Sequence, residues 1–398
     1  MSIMKILLFT SRNISSTCGE LRLIENRAIS LFDRWGIDTE VVGVQNMSRK
    51  AVQANTLFAS KSVYWANPLN PMSITIAYRR AYKKVINLLS LNRKEYCCVL
   101  LSGLGTLRYL PKIKRLFPDL DVYVDVHGSS EDIKMCSQAA SSYVRKVLFQ
   151  IEYYLGKREE KRYLKYFDGT LVVSNALKNL LHYRYGCSLD STYVIPCATK
   201  STSVKSLEEK KRSRIEVNSK YSLDPKEILF VYSGGASPWQ CIKETVDLFQ
   251  RINRWIPSKL LVLSHSINAI REQIGEREGV IFDSLQPNQV ADIVCAADYG
   301  IMLRSDCETN NVAFPNKFLE YVSCGVSVIA TPYVEDVAKL IVSQGIGIIV
   351  DDDFDSFLTE LSRFNRPDIK HFEAVLEECS FQSTLTPWVN HLLSAERA

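Results

Sequence analysis

Short apolar runs alternate with segments of helical length along nearly the whole chain of 398 residues. Strands inside a parallel sheet show as brief unbroken apolar stretches, because both of their faces are covered. On that criterion the first half predicts strands at Lys5–Thr10, Glu40–Val44, Cys98–Ser102, Asp121–Val126, Gly169–Ser174 and Thr192–Ile195. The second half predicts Ile228–Ser233, Leu260–Ser264, Val280–Asp283, Tyr299–Leu303, Val326–Ala330 and Ile346–Val350. Helices are expected between them, at Leu21–Trp35, Ile74–Leu91, Tyr109–Phe117, Tyr143–Tyr166 and Leu177–Tyr185. Further along they are expected at Cys241–Trp255, Asn268–Gly275, Pro287–Ala296, Pro315–Ser323 and Val334–Ser343. Strand and helix in alternation point to the α/β class, with parallel sheets and right-handed crossovers.

The rhythm breaks once. Between Ile195-Pro196-Cys197 and Ile228 the chain is rich in Ser, Lys and Glu, with the cluster Glu208-Glu209-Lys210-Lys211-Arg212. That composition suits a connector bearing one exposed helix. Two domains are expected, 1–196 and 197–378, followed by a helical tail, 379–398, in which Trp388, Leu392 and Leu393 offer an apolar face.

Hydrophobic residues make up 46% of the chain and charged residues 23%, ordinary values for a globular protein. No apolar run reaches the roughly 20 residues of a membrane-spanning helix. Ile3 to Thr10 is too short, and wrongly flanked, for a secretory signal. Eleven cysteines are scattered without a C-x-x-C pair or zinc spacing, so free thiols in a reducing cytoplasm are expected, and no metal.

Charge adds an asymmetry. Residues 1–195 carry 28 Lys and Arg against 16 Asp and Glu, and the remainder carries 21 against 28, giving +12 and −7. A basic half faces either an anionic partner or simply water. Nucleic acid is disfavoured, since aromatic and basic residues are not interleaved in an RNA-binding pattern. An anionic membrane surface or a lipid-linked substrate fits better. Tyr143–Phe167 is both basic and aromatic, and Ile74–Leu91 carries Arg79, Arg80, Lys83 and Lys84. Either segment reads as a helix lying on anionic lipid or as a crossover helix packed on a sheet.

The densest chemistry lies between Arg304 and Ile329. Here a loop with Arg304 precedes Pro315-Asn316-Lys317-Phe318-Leu319-Glu320-Tyr321, then Gly325 and an apolar run. Pro315 suits a first helical position and Gly325 a helix stop. Lys317 and Glu320, three apart, share one face at the helix mouth. A cation, a carboxylate and free N–H groups together can hold a nucleotide diphosphate, with Lys on phosphate and Glu on ribose. Upstream, Gly234-Gly235 follows the strand Ile228–Ser233 and lets the backbone approach a phosphate. It is neither a dinucleotide fingerprint nor a Walker loop. Asp125-Val126-His127-Gly128 ends another strand; His127 there is either structural or a hydrogen-bonding partner for a sugar. His182, His265, His371 and His391 read as structural or surface residues.

The segment from Pro315 to Tyr321 resembles the Pro-x-Lys-x-x-Glu-Tyr segment of family 4 glycosyltransferases. That resemblance implies the GT-B fold, two Rossmann-like domains facing a central cleft, with the terminal helix returning to the first domain. It implies sugar transfer from a nucleotide diphosphate sugar to an acceptor hydroxyl with retention, without metal or cofactor. Donor binding would fall to Gly234, Gly235, Asn311, Lys317 and Glu320, and catalysis to His127, Arg304 and Lys317. The acceptor, expected to be a lipid-linked glycan on the cytoplasmic leaflet, would meet Arg12, Gly19 and Glu20. The chain departs from the family pattern in three places. Only Gly19 stands where a Gly-Gly pair is usual, Trp239-Gln240-Cys241 replaces an Arg and Lys loop, and Val312 stands where a first glutamate belongs. Two other readings stay open: a nucleotide-sugar-binding regulatory partner, and a sugar-nucleotide epimerase or hydrolase.

Overall fold

A computed structural model describes residues 4–14, 19–46, 60–140, 142–197, 203–350 and 353–395. The chain forms two compact units. One comprises residues 1–133, 147–200 and 381–398, the other residues 134–146 and 201–380.

The first unit is built on strands β1 (Lys5–Thr10), β2 (Asp38–Asn46), β3 (Ser60–Ala66), β4 (Tyr96–Ser102), β5 (Asp121–Val126), β6 (Gly169–Val172) and β7 (Thr192–Val194). They pair in the order β3-β2-β1-β4-β5-β6-β7, every pair parallel. The second unit holds β8 (Ile228–Ser233), β9 (Ser258–Leu263), β10 (Val280–Asp283), β11 (Tyr299–Met302), β12 (Ser327–Ala330) and β13 (Gly347–Ile349). Their order is β10-β9-β8-β11-β12-β13, again all parallel. In each sheet the chain runs outward one way from its first strand, then returns to build the other way. The reversal leaves a crevice beside β1 and β4 in one sheet and beside β8 and β11 in the other, where α/β sheets take up ligands.

All twelve strands expected from the apolar runs are present, within a residue or two at their ends. β3 is additional. It is an edge strand with a single neighbour, β2, and its residues from Lys61 to Trp65 stay partly exposed, so it carries no continuous apolar run. The helix Glu131–Ala139 is also additional; it buries only Ser137 and shows no apolar stripe. The connector helix, Leu207–Tyr221, is less exposed than its composition indicates, for it buries Lys210, Ser213 and Val217.

Each unit has its own apolar core. In the first, Ile6, Leu8, Leu100 and Tyr123 of the sheet pack with Phe381, Leu385, Trp388, Val389 and Leu392 of the last helix, Phe381–Ala395. Tyr123 and Trp388 meet edge to face at 5.6 Å between ring centroids. In the second, Phe230, Leu260, Val262 and Ile329 pack with Ile242, Val246 and Phe249 of the helix Ile242–Asn253. The ten cysteines among the described residues are all free thiols. Among those residues no helix is long and apolar enough to cross a membrane, and no cluster of His, Cys, Asp or Glu is placed to hold a metal.

Candidate functional site

In the second unit β8 and β11, the strands beside the reversal, end in Gly234-Gly235 and in Arg304 respectively. Between them the helix Asn316–Ser323 brings up Lys317. Pro315 is the N-cap rather than the first helical residue, one position earlier than expected, and no side chain among the described residues caps the helix there. The opposite end closes as the sequence indicates. Gly325 takes a left-handed φ of 58°, the Val326 N–H reaches the Tyr321 carbonyl, and the Gly325 N–H reaches that of Val322. This 6→1 and 5→2 pair is a Schellman closure, which needs a residue without Cβ strain at Gly325.

Lys317 is 6% exposed, and its Nζ has no hydrogen-bond partner among the described residues. The ammonium lies 4.0 Å from the centre of the Tyr232 ring. It also lies beneath Gly234, where an added Cβ would come within 2.8 Å of it. Burial pushes the Lys317 pKa well below the ordinary lysine value; Arg304 pushes it further, while Glu320 opposes the shift. Arg304 is itself buried, and its pKa is lowered by desolvation. Its Nη1 donates to the carbonyls of Leu303 (2.9 Å) and Gln240 (3.3 Å). Its main chain exchanges hydrogen bonds with Thr331 Oγ1 at 2.9 and 2.7 Å. Among the described residues no carboxylate pairs with either of these two neighbouring buried cations, which leaves the site short of negative charge, and an anion entering it would relieve both.

Two tyrosines hold this arrangement, and neither was assigned a role from sequence. Tyr232 Oη donates to the Gly235 carbonyl at 2.7 Å, fixing the glycine loop. Tyr321 Oη accepts from the Ser233 N–H at 2.9 Å and so ties the helix to the end of β8. The Tyr321 ring fits only because residue 300 is glycine, since a Cβ there would lie 2.4 Å from Tyr321 Cδ2. Gly235 is open on its Cβ side, with nothing within 4 Å. The helix that follows this loop begins at Ile242. A short 3₁₀ turn, Pro238–Gln240, and a left-handed Cys241 (φ 51°) intervene. The Trp239-Gln240-Cys241 segment instead contributes the Gln240 carbonyl that accepts from Arg304.

Asn311 donates from Nδ2 to Asp306 Oδ1 at 2.9 Å, and its own Oδ1 is buried without a partner among the described residues. Its neighbour Asn310 is fully buried and spans Ser305 in the same loop. Val312 is packed in the core, where it can offer a ligand only contact area. Glu320 is half-buried on the Lys317 face of the helix.

The first unit gathers a second set at the ends of β1 and β5. Asp125, nearly fully buried, pairs with Arg27 Nη1 at 3.0 Å and with His127 Nε2 at 2.6 Å, and Ser102 Oγ donates to it at 3.4 Å. Burial alone would raise the Asp125 pKa, but Arg27 and the His127 contact hold it far below the usual carboxylate range. Burial lowers the His127 pKa; Asp125 pulls the other way, and Arg12 and Arg27 add to the lowering. The imidazole is thus neutral near pH 7, and a carboxylate against Nε2 demands the Nε2–H tautomer, leaving Nδ1 as an acceptor. Arg12 belongs to this set through its charge. Its loop is pinned by Gln45, which donates to the Arg12 carbonyl at 2.6 Å and accepts from the Ile14 N–H at 3.1 Å. Gln45 was not singled out in the sequence; nothing marks a glutamine at a strand end. Gly19 and Glu20 form the first residues of the helix Gly19–Trp35. The candidate residues thus fall into two groups on different units, Gly234, Gly235, Arg304, Asn311, Lys317 and Glu320 on one, Arg12, Gly19, Glu20 and His127 on the other.

No protein-family model matches the chain, and no curated protein matches it by sequence. Solved structures do match by shape. Sucrose-phosphate synthase from Thermosynechococcus elongatus superposes with a TM-score of 0.68 at 15% identity, over 98% of this chain and 100% of its own. HepE of Anabaena in complex with UDP-glucose gives 0.62 at 13% identity, over 98% and 100%. WaaG, a glycosyltransferase involved in lipopolysaccharide biosynthesis, gives 0.59 at 14% identity, over 98% of both chains. The fold is GT-B. Matches over 98% of this chain, joined to two all-parallel sheets that each reverse direction once, establish the architecture.

Proposed function

We propose that this chain is a retaining glycosyltransferase that moves a sugar from a nucleotide diphosphate sugar to an acceptor hydroxyl. One observation carries the reading: the Lys317 ammonium, buried without a hydrogen-bond partner among the described residues beside buried Arg304, at the carboxyl end of β8 under a two-glycine loop. Such a place is costly for cations and favourable for a diphosphate. That HepE of this fold holds UDP-glucose supports a nucleotide-sugar donor, and the part WaaG plays in lipopolysaccharide biosynthesis supports a lipid-linked glycan as acceptor.

In this reading Lys317 and Arg304 hold the diphosphate, Glu320 the ribose and Asn311 the donor sugar. The acceptor oxygen forms a bond to the anomeric carbon on the face from which the diphosphate departs. The bond from that carbon to the diphosphate oxygen breaks, and this oxygen takes the acceptor proton. Negative charge grows on the leaving group, where the two cations and the uncapped N–H groups of the helix Asn316–Ser323 stabilise it. His127, neutral, accepts a sugar hydroxyl at Nδ1, and Arg12 with the start of the helix Gly19–Trp35 meets the acceptor. No metal is required in this scheme.

A thermal-shift screen of UDP-, GDP-, ADP- and CMP-sugars tests it, since a ligand that binds only the folded chain raises its melting temperature. One donor should stabilise the wild-type chain and leave Lys317→Met unmoved. Stabilisation without transfer to any of a broad set of acceptors would favour a regulatory binder, and consumption of the donor without acceptor a hydrolase or epimerase. No response to any of them would sink the assignment.

A further inference from the structure

The helix Tyr143–Tyr163 wears its apolar stripe on the outside. Val144, Leu148, Ile151 and Leu155 follow spacings of four, three and four and therefore share one side. Each of the four is between 37% and 60% exposed. Tyr143 and Tyr154 border the stripe and are 79% and 70% exposed. The opposite side does the packing, and it does so with polar groups. Buried Glu160 accepts from Ser130 Oγ at 3.1 Å and Tyr185 Oη at 2.6 Å, and Tyr153 Oη donates to Glu131 at 2.7 Å. Gly156 lies so close to Leu104 that a Cβ would sit 2.5 Å from Leu104 Cδ1. A crossover helix that served only its own sheet would show the reverse arrangement, apolar side inward.

The cations lie where a charged surface would need them. Arg158 and Arg162 continue the line of the stripe for two further turns, and Arg145, Lys146, Lys161 and Lys165 are exposed around it. Residues 143–166 hold seven Lys and Arg against three Glu, one of them the buried Glu160. A second helix, Pro71–Asn92, comes near this one. Its Tyr78 feels the charge of Glu152, and Gly105 packs directly on Tyr78. It exposes Met72 and Ile76, followed one turn later by Arg79 and Arg80.

We propose that this face rests on an anionic lipid surface, with the stripe in the headgroup boundary and the flanking cations on lipid phosphates. A second copy of the chain fits poorly, because a symmetric pairing would set these cations against themselves. Lipid supplies what the patch lacks, apolar depth and negative charge together.

The test is co-sedimentation of the full chain with vesicles of phosphatidylglycerol mixed with phosphatidylcholine, and with phosphatidylcholine alone. Binding to the mixed vesicles alone is expected, released by salt. Leu148→Ser combined with Ile151→Ser and Leu155→Ser should weaken it by about tenfold or more. Arg158→Glu with Arg162→Glu should weaken it comparably, at about fivefold for each charge removed. Both variants should keep the wild-type melting temperature, as all five side chains are exposed. Equal binding to neutral vesicles, unchanged binding of either variant, or a dimer in light scattering that the serine variant abolishes would each overturn the proposal. If a variant does not fold, the lipid and salt series on the wild-type chain decides alone. Lost vesicle binding with an intact nucleotide-sugar thermal shift separates this surface from the donor site.

Discussion

Lys317 concentrates the conflict between stability and function in this chain. Its ammonium is desolvated, lies against the Tyr232 ring and shares its surroundings with a second cation. Lys317→Met keeps the length and the ring contact while removing the charge. The unliganded variant is therefore expected to be more stable than wild type by on the order of 1–3 kcal/mol in urea unfolding, while losing donor binding. A destabilised variant that still binds a nucleotide sugar would contradict the site as described. The depressed pKa also predicts proton linkage. An anion beside Lys317 raises its pKa, so the complex holds more protons than the free chain, and affinity falls as pH rises through the bound-state pKa. Calorimetry in buffers of different ionisation enthalpy, run as a series from neutral to alkaline pH, should show proton uptake on binding within that series; release, or no linkage at any pH in it, contradicts the prediction.

At the scale of elements, the short helix Asn316–Ser323 depends on what closes its far end. Lys210 of the connector helix donates to the carbonyls of Cys324 and Gly325 at 2.9 and 3.1 Å, and Arg366 donates to Gly325 at 2.7 Å. Cations suit a helix C-terminus, yet burial brings the Lys210 pKa down to about 8. Between about pH 8 and the unfolded value of 10.5 the unfolded chain binds the extra proton, so stability attributable to Lys210 rises with pH. Wild type should gain on Lys210→Met across that window by up to roughly 3 kcal/mol, read from denaturant unfolding at both ends. A difference that stays flat or shrinks would mean that Lys210 is not desolvated.

At the scale of the whole molecule, the last described helix belongs to the same apolar core as the first strand. Trp388 is fully buried against Tyr123. Trp388→Ala should cost roughly 3–5 kcal/mol through the cavity left behind. The loss should appear in the unfolding of the first unit, while nucleotide-dependent stabilisation of the second persists. Calorimetry with and without ligand checks this, and a loss of ligand response would show that the last helix matters to the donor site.

Much of this protein was legible along the chain because parallel strands buried on both faces leave unbroken apolar runs. β1, β5, β8 and β10 lie where those runs put them, and Lys317 and Glu320 share a helical face because three residues make nearly a turn. β3 was not legible, since an edge strand has no covered side to demand apolar residues. Nor was the pairing order, which depends on contacts between residues far apart in sequence. The closeness of Lys317, Arg304 and Gly234, the Asp125 link between Arg27 and His127, and the outward stripe of the helix Tyr143–Tyr163 all came from tertiary structure. Helical periodicity says which residues share a side, but only packing decides whether that side meets the protein or the solvent.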